Sequence, residues 1–178
     1  MSKITKLKPR RPAPALDTPT DLSPEGVKAI SAALNTMLAD SYALLLKTKN
    51  FHWHASGPHF RDYHLLFDEQ AEAIDAATDE IAERVRKIGG TTLRSIGHIA
   101  KLQTIEDNDA DFVPPAMMLD ELVQDNKKMV HFMRKAHDIC DEHEDIATAS
   151  LIENWIDQTE KRIWFLFEAA RGASNHGH

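Results

Sequence analysis

About thirty consecutive residues without a helix breaker constrain this chain more than any other feature of its sequence. From about His59 to Ile88 the composition is dominated by alanine, leucine, glutamate and arginine, which favour helix. Gly89-Gly90 then provides a strong stop. At 1.5 Å per residue, the helix is roughly 45 Å long. The pattern predicts an all-α chain built from long helices.

Three further segments predict helices of similar length. The first opens at Ser23-Pro24-Glu25, which combines a hydroxyl N-cap, a proline at the first helical position and an acid in the first turn. The predicted bounds of the four helices are about 23–54, 59–88, 114–140 and 146–171, the last being stopped by Gly172. Residues 91–113 form a long connection with a short helix near 95–102. The expected fold is a four-helix bundle with a long crossover between helices 2 and 3.

The two ends of the chain lie outside this bundle in the prediction. We expect residues 1–22 to be a flexible basic arm, residues 23–172 the bundle, and residues 173–178 a short tail. The arm is rich in proline and lacks apolar periodicity. Its cations are Lys3, Lys6, Lys8, Arg10 and Arg11, against only two acids, whereas the whole chain has a net charge of −7. Such asymmetry points to polyanions as partners.

Cysteine content and hydropathy bear on where the chain works. Cys140 is the one cysteine, so a disulfide framework or a thiolate zinc cluster within one chain is excluded. We see no apolar run near the roughly 18–20 residues that span a bilayer, and no secretory signal. A cytoplasmic protein with no membrane association is expected.

One stripe of the second predicted helix carries metal-ligating residue types. The stripe consists of His64, Asp68, Glu72, Asp75, Asp79 and Glu83, spaced by 4, 4, 3, 4 and 4 residues. Asp68 and Asp79 are roughly 16 Å apart along the axis, so one straight helix cannot bring both ends to a single ion. Two copies packed antiparallel about a twofold axis near residues 73–74 can do so. At that centre lie four small residues, Ala71, Ala73, Ala76 and Ala77.

The spacing therefore suggests an intersubunit metal site, for which iron, manganese or zinc suit the nitrogen and oxygen donors. His52 and His54 stand close by, near the end of the first helix. The competing interpretation is a solvated acidic face, with histidines that cap or pack at a turn. No Glu-x-x-His motif occurs, which argues against a site inside one bundle.

Two stretches of the chain resemble a known family. The sequences KTKNFHWHASGPHFRDYHLLFDEQ and TDEIAERVRKIGG, together with WFLFE near the C-terminus, are similar to those of Dps proteins, the DNA-binding proteins from starved cells. The resemblance implies a ferritin-like bundle assembled into a hollow homododecamer with a ferroxidase centre at the twofold interface. By motif, His52, His64 and Asp68 come from one subunit and Asp79 and Glu83 from the other. Trp53 lies beside the site, and His54 replaces an asparagine common among relatives.

The resemblance also implies a reaction. A ferroxidase of this kind oxidises Fe(II), with hydrogen peroxide preferred over oxygen, two irons per site, and stores the ferric mineral in the shell. Iron is thus both cofactor and substrate, and sequestering it protects DNA from oxidative damage. Asp141, Glu142, Glu144 and Asp145 are candidate pore residues that concentrate cations. The alternative for these acids is a solvated loop.

Two other functions stay open at the level of sequence. The protein could be mainly architectural, compacting DNA through the basic arm without reading its sequence and associating with the bacterial nucleoid. It could also be a passive zinc- or manganese-binding bundle without redox turnover. The arm itself could be no more than a solubilising terminus.

Overall fold

Four long helices account for most of the chain in the computed structural model, which describes residues 16–174. They are α1 (Pro24–His54), α2 (Phe60–Lys87), α4 (Pro115–Glu142) and α5 (Ile146–Ser174). A short helix, α3 (Ile96–Leu102), lies in the connection between α2 and α4. The described residues contain no strand. The predicted all-α bundle with its long crossover is confirmed.

The helices begin and end mostly at the capping and glycine residues that the sequence predicts. The hydroxyl of Ser23 accepts a hydrogen bond from the amide of Gly26 at 3.0 Å and caps α1. Gly89 has a φ of 87°, which ends the segment after α2 in the left-handed region that glycine tolerates. The predicted stop at Gly172 is wrong, because α5 continues to Ser174. A single glycine within a helix costs only about 1 kcal/mol, which the flanking turns tolerate.

The helices pack as two hairpins. α1 packs against α2 and α4 against α5, and the two pairs meet chiefly through α1 and α4. The core is formed by apolar side chains from all four long helices; its largest fully buried members include Phe51, Phe67, Leu34, Met37, Ile81, Met118 and Leu119. A side of each helix that faces away from this core remains for contacts with solvent or other chains.

The hydropathy of α1 differs from the prediction that the chain has no apolar run long enough to span a membrane. α1 contains an 18-residue window long and apolar enough to cross a membrane, so the prediction that no such run exists is wrong. Of that window, 56% is buried inside the bundle. A core helix that touches neighbours on several sides has the same composition. α1 occupies that position here.

The N-terminal segment is partly attached to the bundle. The guanidinium of Arg86 donates to the carbonyl of Leu16 at 2.9 Å, and Leu22 packs against the core. Residues 16–22 therefore lie on the bundle, contrary to the prediction that the flexible arm extends to residue 22. The five cations of the arm, Lys3, Lys6, Lys8, Arg10 and Arg11, fall outside the described residues, as does most of the predicted tail.

A buried ion pair joins the two hairpins. The ammonium of Lys47 on α1 lies 2.6 Å from the carboxylate of Asp125 and 2.8 Å from that of Glu121, both on α4. Burial alone would lower the pKa of Lys47, but hydrogen bonds to Asp125 and Glu121 outweigh it and hold that pKa above its usual value. The pair stabilises the fold below the pKa of the unfolded lysine and loses this effect as pH rises through the raised folded value.

Removing the buried lysine should be costly. Lys47→Met would leave Asp125 charged and buried without its closest partner, so we expect a loss of about 3–5 kcal/mol in the free energy of unfolding. Lys128→Met is a matched control, because Lys128 is half exposed and lies 3.7 Å from the same carboxylate. Chemical denaturation at neutral pH measures both; equal effects of the two substitutions would contradict the assignment.

Candidate metal centre

Two histidines from neighbouring helices hold each other in place. The Nδ1 atom of His52 lies 2.7 Å from the carbonyl oxygen of His64, and Nδ1 of His64 lies 2.9 Å from the carbonyl oxygen of His52. The rings stack with centroids 3.8 Å apart. A carbonyl only accepts hydrogen bonds, so each Nδ1 carries the proton and each Nε2 keeps a lone pair when the ring is neutral. Both histidines are therefore oriented as metal ligands usually are.

A carboxylate completes this group on α2. Asp68 follows His64 by one helical turn, and its Oδ1 lies 3.9 Å from Nε2 of His52. The ammonium of Lys49, one turn before His52, lies 2.5 Å from the same oxygen. This hydrogen bond is the main cause that lowers the pKa of Asp68, with smaller contributions from the two histidines. Asp68 is thus a carboxylate whose cation partner in the chain is a lysine.

Lys49 is the residue that sequence analysis missed. Its side chain is only 33% exposed, and its ammonium contacts Asp68 within the group. An ammonium on Asp68 balances a charge that a divalent cation would otherwise balance. A metal ion bound at Asp68 must displace Lys49 or share the carboxylate with it.

The other two predicted ligands do not join this group within one chain. Asp79 and Glu83 are exposed and lie farther along α2, where Glu83 pairs with Lys87 at 3.2 Å. In residues 16–174 no group of three or more histidine, cysteine, aspartate or glutamate side chains is arranged to hold a metal ion. The described chain thus presents two separate half-sets, which is the separation that the spacing predicts.

Only some of the four alanines that the sequence places at a helix–helix contact in the middle of α2 lie on the surface. Ala73 and Ala76 are exposed and Ala77 is half-buried, but Ala71 is fully buried in the bundle. Ala71 therefore belongs to the core and not to a surface for a second helix. Trp53, in the last turn of α1 beside His52, is 59% exposed.

The acids near the end of α4 separate into two kinds. Asp141, Glu142 and Glu144 are exposed around the turn between α4 and α5. Asp145 is 3% exposed, accepts a hydrogen bond from the Thr148 amide at 3.0 Å and pairs with Arg84 at 2.7 Å. The prediction of Asp145 as a pore residue is wrong, because its carboxylate starts α5 and neutralises a guanidinium. The pore role of the other three remains a prediction.

Comparisons with known proteins agree with this architecture. A model of the ferritin-like domain matches residues 31–171. The DNA protection during starvation protein of Agrobacterium fabrum is 32% identical over 84% of this chain and 92% of its own length. The chain belongs to the Dps family. A low temperature-induced protein of a Nostoc strain is 36% identical over 82% of both chains. The solved structure of Dps from Thermosynechococcus elongatus is 28% identical, covers 81% of this chain and 91% of its own, and superposes with a TM-score of 0.78.

Membership in the Dps family confirms the ferritin-like bundle that the motifs predicted. It leaves the individual ligands to be tested on this chain. The donors that the structure gathers, two imidazoles and one carboxylate without sulfur, suit a borderline or hard divalent ion. Fe(II) is an ion of this kind.

Metal binding should depend on His52 and not on the nearby His54. We expect His52→Ala to weaken Co(II) binding by about 10- to 100-fold, because the substitution removes a candidate ligand together with the ring that stacks on His64. His54→Ala is a matched control: His54 lies in the same helical turn, but it is exposed, and within residues 16–174 its ring bonds to the carbonyl of Asn50 alone, at 2.8 Å. Visible absorption of Co(II) in anaerobic titrations measures both. A larger loss in the control would contradict the assignment.

Proposed function

We propose that this Dps-family protein is a ferroxidase that oxidises Fe(II), preferably with hydrogen peroxide, and stores the ferric product in a homododecameric shell. The observation that supports it most is the reciprocal pair of His52 and His64, whose Nε2 atoms are free to bind beside the carboxylate of Asp68. Such preorganisation is typical of metal sites and unnecessary in a merely packed pair.

The donor set favours oxidation of iron. Carboxylate oxygens are hard donors and stabilise the more highly charged ferric ion relative to the ferrous ion. Two Fe(II) ions per site each lose one electron, and hydrogen peroxide takes both electrons and two protons to give two water molecules. Delivering the electrons as a pair avoids the single-electron step that releases hydroxyl radical. Oxygen is the alternative oxidant.

The complete site in this proposal is shared between two chains. Asp79 and Glu83 of one chain face His52, His64 and Asp68 of another across a twofold axis near residues 73–74. Support comes from the exposure of both acids and from Ala73 and Ala76 at the proposed centre, where small side chains let two helices approach closely. Each pair of chains then holds two equivalent sites, since a twofold interface is self-complementary.

Apolar surface on the described chain supports assembly. Trp164, Phe165 and Phe167 on α5 are 61%, 43% and 52% exposed, and Leu46 on α1 is 62% exposed. Three large aromatic side chains within one turn of a helix are unusual on a free surface and are typical of interfaces. We therefore infer that these side chains are covered by other copies in the shell.

The proposed reaction has a characteristic stoichiometry. We expect the protein to consume one hydrogen peroxide for about two Fe(II) ions, and His64→Ala to slow the initial rate by about tenfold or more. Glu69→Ala is a matched control, because it removes an exposed acid adjacent to Asp68 on the same helix. A peroxide electrode with anaerobic Fe(II) addition measures the ratio. A ratio of one iron per peroxide in the wild type would contradict paired electron delivery.

DNA protection is the second part of the proposal. The Agrobacterium relative is named for DNA protection during starvation. In this chain the basic arm, with Lys3, Lys6, Lys8, Arg10 and Arg11, is a suitable contact for phosphates. Non-specific DNA binding through the arm would place this cytoplasmic protein on the bacterial nucleoid. Without it, removal of iron and peroxide would protect DNA in solution.

The role of the arm in DNA binding can be tested by removing its positive charges. Duplex binding should weaken steeply with salt and be indifferent to base sequence, because it rests on phosphate neutralisation. Replacing the five cations of the arm by glutamine should abolish the gel shift that wild type gives at low salt. A control with Lys127→Gln and Lys128→Gln, on α4 of the bundle, should bind normally. Equal binding by the glutamine arm would show that the arm is not responsible.

A further inference from the structure

A histidine at the seam between α4 and α5 has a carboxylate beside each of its ring nitrogens. The Nε2 atom of His137 on α4 lies 3.2 Å from Oε1 of Glu153 on α5. Its Nδ1 atom lies 3.3 Å from Oδ2 of Asp141, one helical turn farther along α4. The imidazole side chain is only 24% exposed, whereas Asp141 and Glu153 are both exposed. The ring is therefore largely enclosed, and both carboxylates are accessible from solvent.

These two contacts cannot both be hydrogen bonds of a neutral ring. An ionised carboxylate only accepts hydrogen bonds, and a neutral imidazole has a single N–H group. The contact to Glu153 has hydrogen-bond geometry, which assigns the proton of the neutral ring to Nε2. The lone pair of Nδ1 then faces the carboxylate of Asp141 at 3.3 Å. Two electron-rich atoms at that distance repel each other unless a cation lies between them.

The separation of these two atoms suits a metal ion that both of them bind. Zinc lies about 2.0–2.2 Å from an imidazole nitrogen or a carboxylate oxygen, so two neighbouring ligand atoms on one ion are about 3.0–3.4 Å apart. The 3.3 Å between Nδ1 of His137 and Oδ2 of Asp141 falls within that range. Glu153 accepts the hydrogen bond from Nε2, and such an outer carboxylate is what fixes the tautomer of most metal-binding histidines.

The charge around this group also favours a cation. Residues 136–160 contain eight acids and no lysine or arginine. Two of the acids are paired with arginines from outside this stretch: Asp145 with Arg84 and Glu160 with Arg134. The other six are exposed; they are Asp138, Asp141, Glu142, Glu144, Glu153 and Asp157. A surface with this much negative charge raises the local concentration of divalent ions.

We propose that His137 and Asp141 bind a divalent first-row metal ion, with Glu153 as the positioning residue. One imidazole and one carboxylate without sulfur suit zinc, Fe(II) or Mn(II). Water completes the coordination, because within residues 16–174 no third histidine, cysteine, aspartate or glutamate is arranged to join the two. With only two protein ligands, the site exchanges its ion readily. It lies on the hairpin of α4 and α5, apart from the histidine pair of α1 and α2, and does not depend on the proposed ferroxidase reaction.

Zinc is a direct probe, because its anomalous scattering identifies it in a crystal. Crystals of the wild type soaked in zinc at about pH 8, where free imidazole is neutral, should show an anomalous peak between His137 and Asp141. The peak should persist in His131→Ala, which removes an exposed histidine from the same helix, and should be absent in His137→Ala. A wild-type crystal without this peak would overturn the proposal, whether or not zinc is bound beside His52.

A measurement in solution separates binding by these two ligands from diffuse attraction to the acidic surface. Equilibrium dialysis with Co(II) is carried out in a His52→Ala background, which reduces competition from the histidine pair of α1 and α2. Adding Asp141→Asn should weaken the remaining binding by about tenfold or more. Adding Asp138→Asn instead removes the same charge from an exposed position beside His137 and should weaken it much less. Equal effects of the two substitutions would show diffuse attraction only and overturn the proposal.

Discussion

The length of α2, which is one uninterrupted helix, is the constraint on which the proposed metal site depends. The helix is continuous over 28 residues, and the 19 positions from His64 to Glu83 extend roughly 28 Å along its axis. No rotation of side chains brings the two ends to one ion. The histidine end is completed by α1, since the five-residue turn between α1 and α2 places His52 against His64. The acidic end has no comparable partner within the described chain, so a second copy is the natural source of the missing ligands.

Much of this arrangement could be predicted from the sequence, because local signals were strong. The cap at Ser23, the Gly57-Pro58 break and the Gly89-Gly90 stop set α1 and α2 to within a residue or two. The 4, 4, 3 spacing identified one face of α2 from the sequence alone. Gly172 failed as a stop because one glycine is a weak breaker when the surrounding residues favour helix.

The polar interior could not be predicted, because its partners are far apart in sequence. Lys47 meets Asp125 across 78 positions, and Arg84 meets Asp145 across 61. Sequence analysis treated Asp145 as one of four equivalent loop acids, yet burial and Arg84 make it a structural residue. Lys49 and Arg162 carried no signal at all: a lysine or arginine on a helix is usually solvated, and only tertiary packing reveals which of them points inward.

The shared site is the central claim, and a complementation experiment tests it most directly. One chain carries His64→Ala and the other carries Glu83→Ala, and each alone should form inactive shells. When the two are co-assembled in equal amounts, half of the twofold pairs are mixed, and each mixed pair contains one site with all its ligands. We therefore expect about a quarter of the wild-type rate of peroxide-dependent Fe(II) oxidation to return on mixing. If each site lay within one chain, every subunit would still lack a ligand. A mixture no more active than its two components would contradict the shared site.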